Sequence, residues 1–184
     1  MKDRLRKTLL QRRSRYTETE IGMISRRITH KVVELQACRQ ARTVHCYFSF
    51  RKEVSTRLLM DLLQQAGKLL VVPRMIAGTN LLEHVLFSSD SRIIPNVLGI
   101  PEPAGSTVVQ TGSIDLVIVP MVGGDPACNR LGYGKGYYDQ FLSGLSCPKI
   151  GLLPDDCLVD SLPVEPHDVK LDMIITESSV YQKA

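Results

Sequence analysis

The chain has 184 residues, 43% of them hydrophobic and 23% charged, an ordinary globular balance for which one domain spanning residues 1–184 is expected. No stretch approaches the ~20 apolar residues of a membrane span, and the opening MKDRLRK has no apolar signal core, so a cytoplasmic protein without membrane association is expected. The net charge of +4 is uneven: residues 1–42 hold 12 Lys and Arg against 4 Asp and Glu, the remainder 11 against 15. A nucleic-acid arm, a solvated helix face, or a lid that brings cations to an anionic substrate would each produce that asymmetry.

In chain order, Leu5, Leu9 and Leu10 predict a short first helix, on which Lys2 and Arg6 share one face at i and i+4. Ile21, Ile24, Ile28, Val32 and Leu35 then recur at three- and four-residue steps and predict an amphipathic helix. The period changes at Val44, where VHCYFSF alternates as a strand with Val44, Cys46, Phe48 and Phe50 on one face. RLLMDLLQQA reads as a helix closed by Gly67, and KLLVVP as a buried strand that Pro73 should stop. LLEHVLF is a weaker strand, whereas IDLVIVP is a β-branched run of the kind a parallel sheet buries on both faces. YYDQFLSGL predicts a helix, PKIGLL a strand and LDMIIT the last strand, with irregular Pro- and Gly-rich connections at 95–105 and 151–166. The alternation predicts a three-layer α/β/α sandwich around a mostly parallel sheet. The cysteines at 38, 46, 128, 147 and 157 form no C-x-x-C pair and read as free thiols, not a disulfide framework or zinc site.

The segment NRLGYGKGYYDQF, residues 129–141, follows the strand IDLVIVP, where a parallel sheet opens its ligand crevice. It is neither a Walker A loop, lacking the first glycine and the hydroxyl residue, nor a G-x-G-x-x-G dinucleotide turn. Gly132, Gly134 and Gly136 still permit positive φ and a nest of N–H groups for anionic oxygens, and the helix start at Tyr137 adds its positive end. Arg130 can grip two oxygens at once, Lys135 is a compact point charge, and Asp139 suits a Mg²⁺ that bridges to phosphate. Tyr133, Tyr137 and Tyr138 offer flat surfaces for a ring-shaped partner. The alternative is a glycine-rich turn whose tyrosines pack into the core.

NRLGYGKGYYDQFL resembles the R-L-G-x-G-K/G-G-Y-Y-D-x-x-L signature of the 5-formyltetrahydrofolate cyclo-ligase family, and KDRLRK, YFSFRKEVST, LLVVPRM, LGIPEP and LPVEPHDVKLDMIITE are similar to its other motifs in the same order. The resemblance implies a fold like that of the ribose-5-phosphate isomerase and CoA-transferase group. It implies a Mg²⁺- and ATP-dependent closure of 5-formyltetrahydrofolate to 5,10-methenyltetrahydrofolate, with ADP and phosphate released. By the same resemblance, Lys2, Arg6 and the run Arg130, Leu131, Gly132, Tyr133, Gly134, Lys135, Gly136, Tyr137 and Tyr138 would bind ATP, with Lys135 and Arg130 as the catalytic cations. Phe48 and Glu53, together with Tyr133, Gly134, Lys135, Gly136 and Tyr137, would contact the folate, and Asp139 and Asp168 would hold Mg²⁺. Without the resemblance, Glu53 reads as a solvated carboxylate at a strand end; for Asp168 the alternative to a metal ligand is a turn or cap residue. The chain departs from the family at Cys128, where many members keep glycine, and at Leu98, where some place an aromatic. A monomer that binds no nucleic acid is expected, with a dimer as the alternative assembly. An ATP-dependent enzyme for another formyl or amide compound, and a nucleic-acid-binding protein, are the competing functions.

Overall fold

A computed structural model describes residues 1–96, 99–105 and 107–183. Leu98, and with it that departure, lies outside the described residues. In chain order the elements are α1 (Lys2–Ser14), α2 (Glu18–Glu34), α3 (Gln36–Gln40), β1 (Thr43–His45), α4 (Arg57–Gln65), β2 (Leu69–Met75) and β3 (Leu82–Phe87). They continue with β4 (Ile93–Pro95), β5 (Pro101–Pro103), β6 (Leu116–Pro120), β7 (Gly123–Gly124), β8 (Arg130–Leu131), α5 (Tyr137–Ser143), β9 (Lys149–Leu152), β10 (Met173–Ile175) and β11 (Val180–Gln182). The central sheet has seven strands in the order β11-β10-β9-β6-β1-β2-β3. Its five inner strands run parallel, and β3 and β11 close the two edges antiparallel.

Alternation along the strands sorts the core into the expected layers. Leu70, Val72, Leu116, Ile118 and Ile150 face Ile28 and Val32 of α2 and Leu59 and Leu63 of α4. Val71, Val117, Val119 and Ile174 point the other way, against Phe141 and Leu142 of α5. The two helical faces therefore cover a sheet that is apolar on both sides. A third, smaller cluster of Leu9, Val122, Leu131 and Leu162 fastens α1 to the segment that enters the glycine loop.

Local chemistry sets the element ends. Thr17 caps α2 by accepting the Glu20 N–H at 3.2 Å while Glu20 accepts the Thr17 N–H at 2.8 Å, so two orphan donors are satisfied reciprocally. Gly67, at φ 74°, ends α4 as predicted, with the Lys68 N–H returning to the Leu63 carbonyl at 3.0 Å.

Three expectations need correction. β2 does not stop at Pro73 but runs on to Met75. Pro73 lies opposite His84, whose carbonyl is taken by the Val109 N–H at 2.7 Å. The Pro73 nitrogen therefore faces the β1 side, where the ladder has already ended at His45–Val71, and no hydrogen bond is forfeited. VHCYFSF is strand only within Thr43–His45, and its alternation lapses at Tyr47, which is buried in the same cluster as Cys46, because side chains take over the backbone groups beyond the strand. Thr56 donates to the Tyr47 carbonyl at 2.6 Å, and Glu53 accepts the Phe50 N–H at 2.7 Å. The connection at 95–105 is not wholly irregular, since β4 and β5 pair across it.

Candidate active site

The glycine loop joins β8 to α5, and each of its glycines has a different use. Gly134 and Gly136 adopt φ of 86° and 75°, which L side chains rarely accept. Gly132 does not; a Cβ there would stand 2.7 Å from Arg130 Nη1, so its missing side chain is what lets the guanidinium pass. In the turn that feeds the loop Cys128 is buried and adopts φ 65°, a backbone conformation that suits the glycine it replaces. Its backbone is fixed by Asp125, whose carboxylate accepts from the Asn129 backbone and side chain and from the Leu162 N–H at 2.9–3.0 Å.

Arg130 and Asp139 form an ion pair of 2.6 Å, and the Arg130 side chain is only 4% exposed. Its Nε has no hydrogen-bond partner among the described residues, and its guanidinium carbon stands 5.9 Å from the centre of the Tyr138 ring. Lys2 sits 2.5 Å from Asp168 and 3.1 Å from Glu165. Burial works to raise the Asp168 pKa, yet the Lys2 ammonium and the Glu165 N–H outweigh it and leave that carboxyl below its ordinary range. Arg6 donates through Nε to the Gly132 carbonyl at 2.8 Å, also pairs with Asp3, and lies against Gly134, where a Cβ would be 3.0 Å from its guanidinium carbon. Each carboxylate assigned to metal is thus held by a cation assigned to phosphate. Glu165, His167 and Asp168 each bring one ligand atom to within 4.8 Å of the others; Asp139 stands outside that group.

Glu53 is not the solvated carboxylate its position suggests. It is 6% exposed, and Tyr133 donates its hydroxyl to the second carboxylate oxygen at 2.6 Å. Burial pushes the Glu53 pKa up, against the pull of Tyr133, the Phe50 N–H and Arg13. Arg13, unremarked in the sequence, is 3% exposed and reaches both the Tyr133 hydroxyl (2.5 Å) and the Met121 carbonyl (3.1 Å). It continues the Leu5–Leu9 stripe of α1 at the next four-residue step, so its position marks it as inward-facing, but its partners are more than a hundred positions away and no local pattern names them.

The three tyrosines divide. Tyr133 is 40% exposed over the loop, and Tyr137 donates to the Thr79 carbonyl at 3.1 Å. Tyr138 turns its hydroxyl inward, where it has no partner among the described residues, beside His45 and Phe141 at ring distances of 6.3 and 6.0 Å. The Tyr138 ring thus packs into the core as the alternative describes, unlike those of Tyr133 and Tyr137. Lys135 is exposed, with no hydrogen bond or ion pair among the described residues. Phe48 packs edge-on against Phe87 at 5.1 Å.

A surface hollow of about 560 Å³ opens beside the loop between Arg6, Lys7, Leu10 and Tyr133. A larger one, about 770 Å³, lies around Arg42, Asp115 and Met173 at the opposite ends of the strands. Its one carboxylate, Asp115, is already taken by the Arg42 and Thr43 N–H groups at 2.8 Å, which leaves the chemistry with the loop.

Residues 1–177 match the 5-formyltetrahydrofolate cyclo-ligase family. A probable 5-formyltetrahydrofolate cyclo-ligase from Schizosaccharomyces pombe is 30% identical, the alignment covering 97% of this chain and 96% of the relative. The 5-formyltetrahydrofolate cyclo-ligase of Escherichia coli is 30% identical over 94% of this chain and 98% of its own. Among solved structures, the 5,10-methenyltetrahydrofolate synthetase of Aquifex aeolicus superposes with a TM-score of 0.88 at 27% identity, covering 98% of this chain and 92% of that one. With one fold shared along its whole length and a family match that includes the α1 cations, Glu53 and the entire glycine loop, this chain belongs to the 5-formyltetrahydrofolate cyclo-ligase family.

Proposed function

We propose that the chain is one catalytic domain that converts 5-formyltetrahydrofolate to 5,10-methenyltetrahydrofolate, consuming ATP with Mg²⁺ and releasing ADP and phosphate. The observation that carries this reading is the family match over residues 1–177. It gains support from the convergence on one glycine loop of Arg6, Arg130 and Lys135 with a carboxylate, Glu53, tied to the same loop through Tyr133.

The formamide oxygen is a poor leaving group. Attack by that oxygen on the γ-phosphorus, with ADP departing, converts it to a phosphate ester; the neighbouring aryl-amine nitrogen then closes the ring and phosphate leaves. Little covalent chemistry falls to the protein, which must position two substrates and stabilise charge on the phosphoryl group. Arg6, held against Gly132 and Gly134, and the N–H groups of the positive-φ glycines take the nucleotide phosphates. Arg130, seated by Gly132 in a nearly closed position, presents a fixed fork. Lys135, unpaired among the described residues, is free to follow the γ-phosphoryl group toward the formyl oxygen. Glu53 accepts N–H donors of the pterin and Phe48 packs beside it.

Asp139 and Asp168 are hard oxygen donors of the kind Mg²⁺ takes, each paired here with a cation that would have to share or yield its carboxylate, and Mg²⁺ held by them would supply charge neutralisation on the phosphates. Lys2 and Arg6 turn inward to the loop, which supports a basic N-terminus that serves ATP and not nucleic acid. We take the working unit to be a cytoplasmic monomer. The test is direct: methenyl-folate absorbance is followed with 5-formyltetrahydrofolate in the presence and absence of Mg-ATP. Absorbance that grows only with both ATP and Mg²⁺ supports the reading, and none under saturating substrates refutes it.

A further inference from the structure

We infer that Arg13 is a positioning residue for the folate side of this reaction, acting on Glu53 through the Tyr133 hydroxyl and so tying the glycine loop to the carboxylate that reads the substrate. The inference rests on the assignment of Glu53 to folate made above.

Three observations converge on it. First, Arg13 is a buried cation with no carboxylate of its own. Its described hydrogen bonds go to a main-chain carbonyl and a phenol, at 3.1 and 2.5 Å, and it appears in no ion pair. A buried guanidinium that served only to fasten α1 would be costly, since the apolar cluster around Leu9 already does that work. Second, the bonds are directional. Arg13 donates to the Tyr133 oxygen, which leaves the phenolic proton free to go to Glu53 at 2.6 Å. A donor polarised from behind in this way is a stronger one. The guanidinium carbon also stands 5.5 Å from the Tyr133 ring centre, so the cation holds the ring as well as its hydroxyl. Third, Glu53 needs such help. Burial favours its neutral form, and the groups that face it are Arg13 from α1, Tyr133 from the loop, Tyr138 from α5 and Tyr47 with the Phe50 N–H from its own segment. Arg13 is the one positive charge among them. A protonated Glu53 carries a donor where the pterin also offers donors, so an ionised carboxylate is the form that binds.

The consequence for substrate binding has a definite direction. Loss of the Arg13 charge lets the Glu53 carboxyl rise further, and folate recognition then fails at a higher pH than in the wild type. Nucleotide binding, which uses Arg6 and the glycine N–H groups, is not addressed by Arg13.

The experiment compares wild type, Arg13→Gln, Arg13→Lys, Tyr133→Phe and the Arg13→Gln/Tyr133→Phe double variant. Folate and ATP Michaelis constants and the pH profile of kcat/KM for folate are measured, and folding is checked by thermal melting. Direct titration with 5-formyltetrahydrofolate gives binding apart from turnover. The expected result for Arg13→Gln is folate binding weaker by about tenfold, the scale of one lost charge-assisted hydrogen bond. Its ATP constant should hardly move, and its acid limb should shift to higher pH. Arg13→Lys should return the limb toward its wild-type position while recovering only part of the affinity, because an ammonium cannot make both fixed bonds. The double variant should be no worse than the poorer single one. An acid limb unmoved in Arg13→Gln, or folate and ATP constants rising together in proportion to lost stability, overturns the inference and leaves Arg13 a structural anchor. If Arg13→Gln does not fold, Tyr133→Phe, which removes the hydroxyl through which Arg13 acts on Glu53, carries the acid-limb reading, and Arg13→Lys carries the loss of affinity. A wild-type protein that neither binds nor turns over 5-formyltetrahydrofolate overturns the functional assignment itself, an outcome distinct from turnover that is indifferent to residue 13.

Discussion

Replacing Gly134 by alanine separates two contributions that the glycine loop combines, and Gly136→Ala is its matched control. Both positions have positive φ, 86° and 75°, so each alanine bears the left-handed penalty of about 1–2 kcal/mol. At 136 nothing lies within 4 Å of the new Cβ, and that penalty is the whole effect. At 134 the Cβ lands 3.0 Å from the Arg6 guanidinium carbon and 3.1 Å from one of its nitrogens. Arg6 must then give way by a few tenths of an ångström, which strains its hold on the Gly132 carbonyl at 2.8 Å, a charged hydrogen bond of about 1.5 kcal/mol. Because Arg6 is assigned to the nucleotide phosphates, the displacement appears in ATP affinity and not only in stability. A Mg²⁺ complex of a non-hydrolysable ATP analogue, titrated calorimetrically, should bind Gly134→Ala about tenfold more weakly than Gly136→Ala. Melting temperatures measured alongside correct for the shared strain. Equal affinities in the two variants would refute the reasoning, since they would mean that Arg6 does not reach the phosphates from where α1 places it.

Asp139→Asn removes a carboxylate from both Arg130 and the metal; the protein should fold, lose most turnover and regain part of it as Mg²⁺ is raised, and full activity in magnesium-free buffer contradicts the assignment. Lys135→Ala should leave melting unchanged, because that side chain is exposed and unpaired among the described residues, while the maximal rate falls by about 10²–10³ and folate affinity changes little. Lys135→Arg should rescue poorly; restoration of the alanine variant by saturating ATP makes Lys135 a binding residue instead. Acid should destabilise the fold through His45 and His84, both held neutral by burial, with His84 brought down from 6.5 to about 4. The unfolded chain then binds more protons as pH falls below about 6.5, so stability present at neutral pH is lost through the window down to about 4. Melting temperatures across that range should fall less steeply in His84→Gln, and equal slopes would remove the histidine pair as the cause.

Local patterns in the sequence were sufficient for elements whose determinants are themselves local. The stripe of α2, the glycine end of α4, the apolar run of β6 and the glycine loop all fall where the residues indicate. What could not be read locally depends on partners brought by the fold. Pro73 reads as a strand stop until β1 is seen to end two positions earlier on the side its nitrogen faces. β11 is only three residues long, too short for an alternation to show, and it exists because β10 offers an antiparallel edge. Gly132 looks like its neighbours in the sequence, yet its purpose is room for Arg130. Glu53 and Arg13 are both charged residues in polar surroundings by sequence, and only the fold shows each of them buried against Tyr133. The loop's ligand chemistry was legible because it is concentrated in a few consecutive residues; the apparatus behind the loop is dispersed and was not.

That dispersal bears on how the chain is made. Arg13 and Glu53 each lose water in the finished protein, but the phenol that joins them comes 120 positions after the first and 80 after the second. During synthesis the N-terminal half emerges with two groups whose burial is unfavourable until Tyr133 arrives. α1, whose apolar partners Val122, Leu131 and Leu162 also come late, has no reason to settle in its final place before then. A nascent chain stalled short of the glycine loop would keep both ends of the future cleft hydrated and apart. The same three residues that align the substrate thereby make docking of the amino-terminal helix a late event, timed by completion of the loop it will serve.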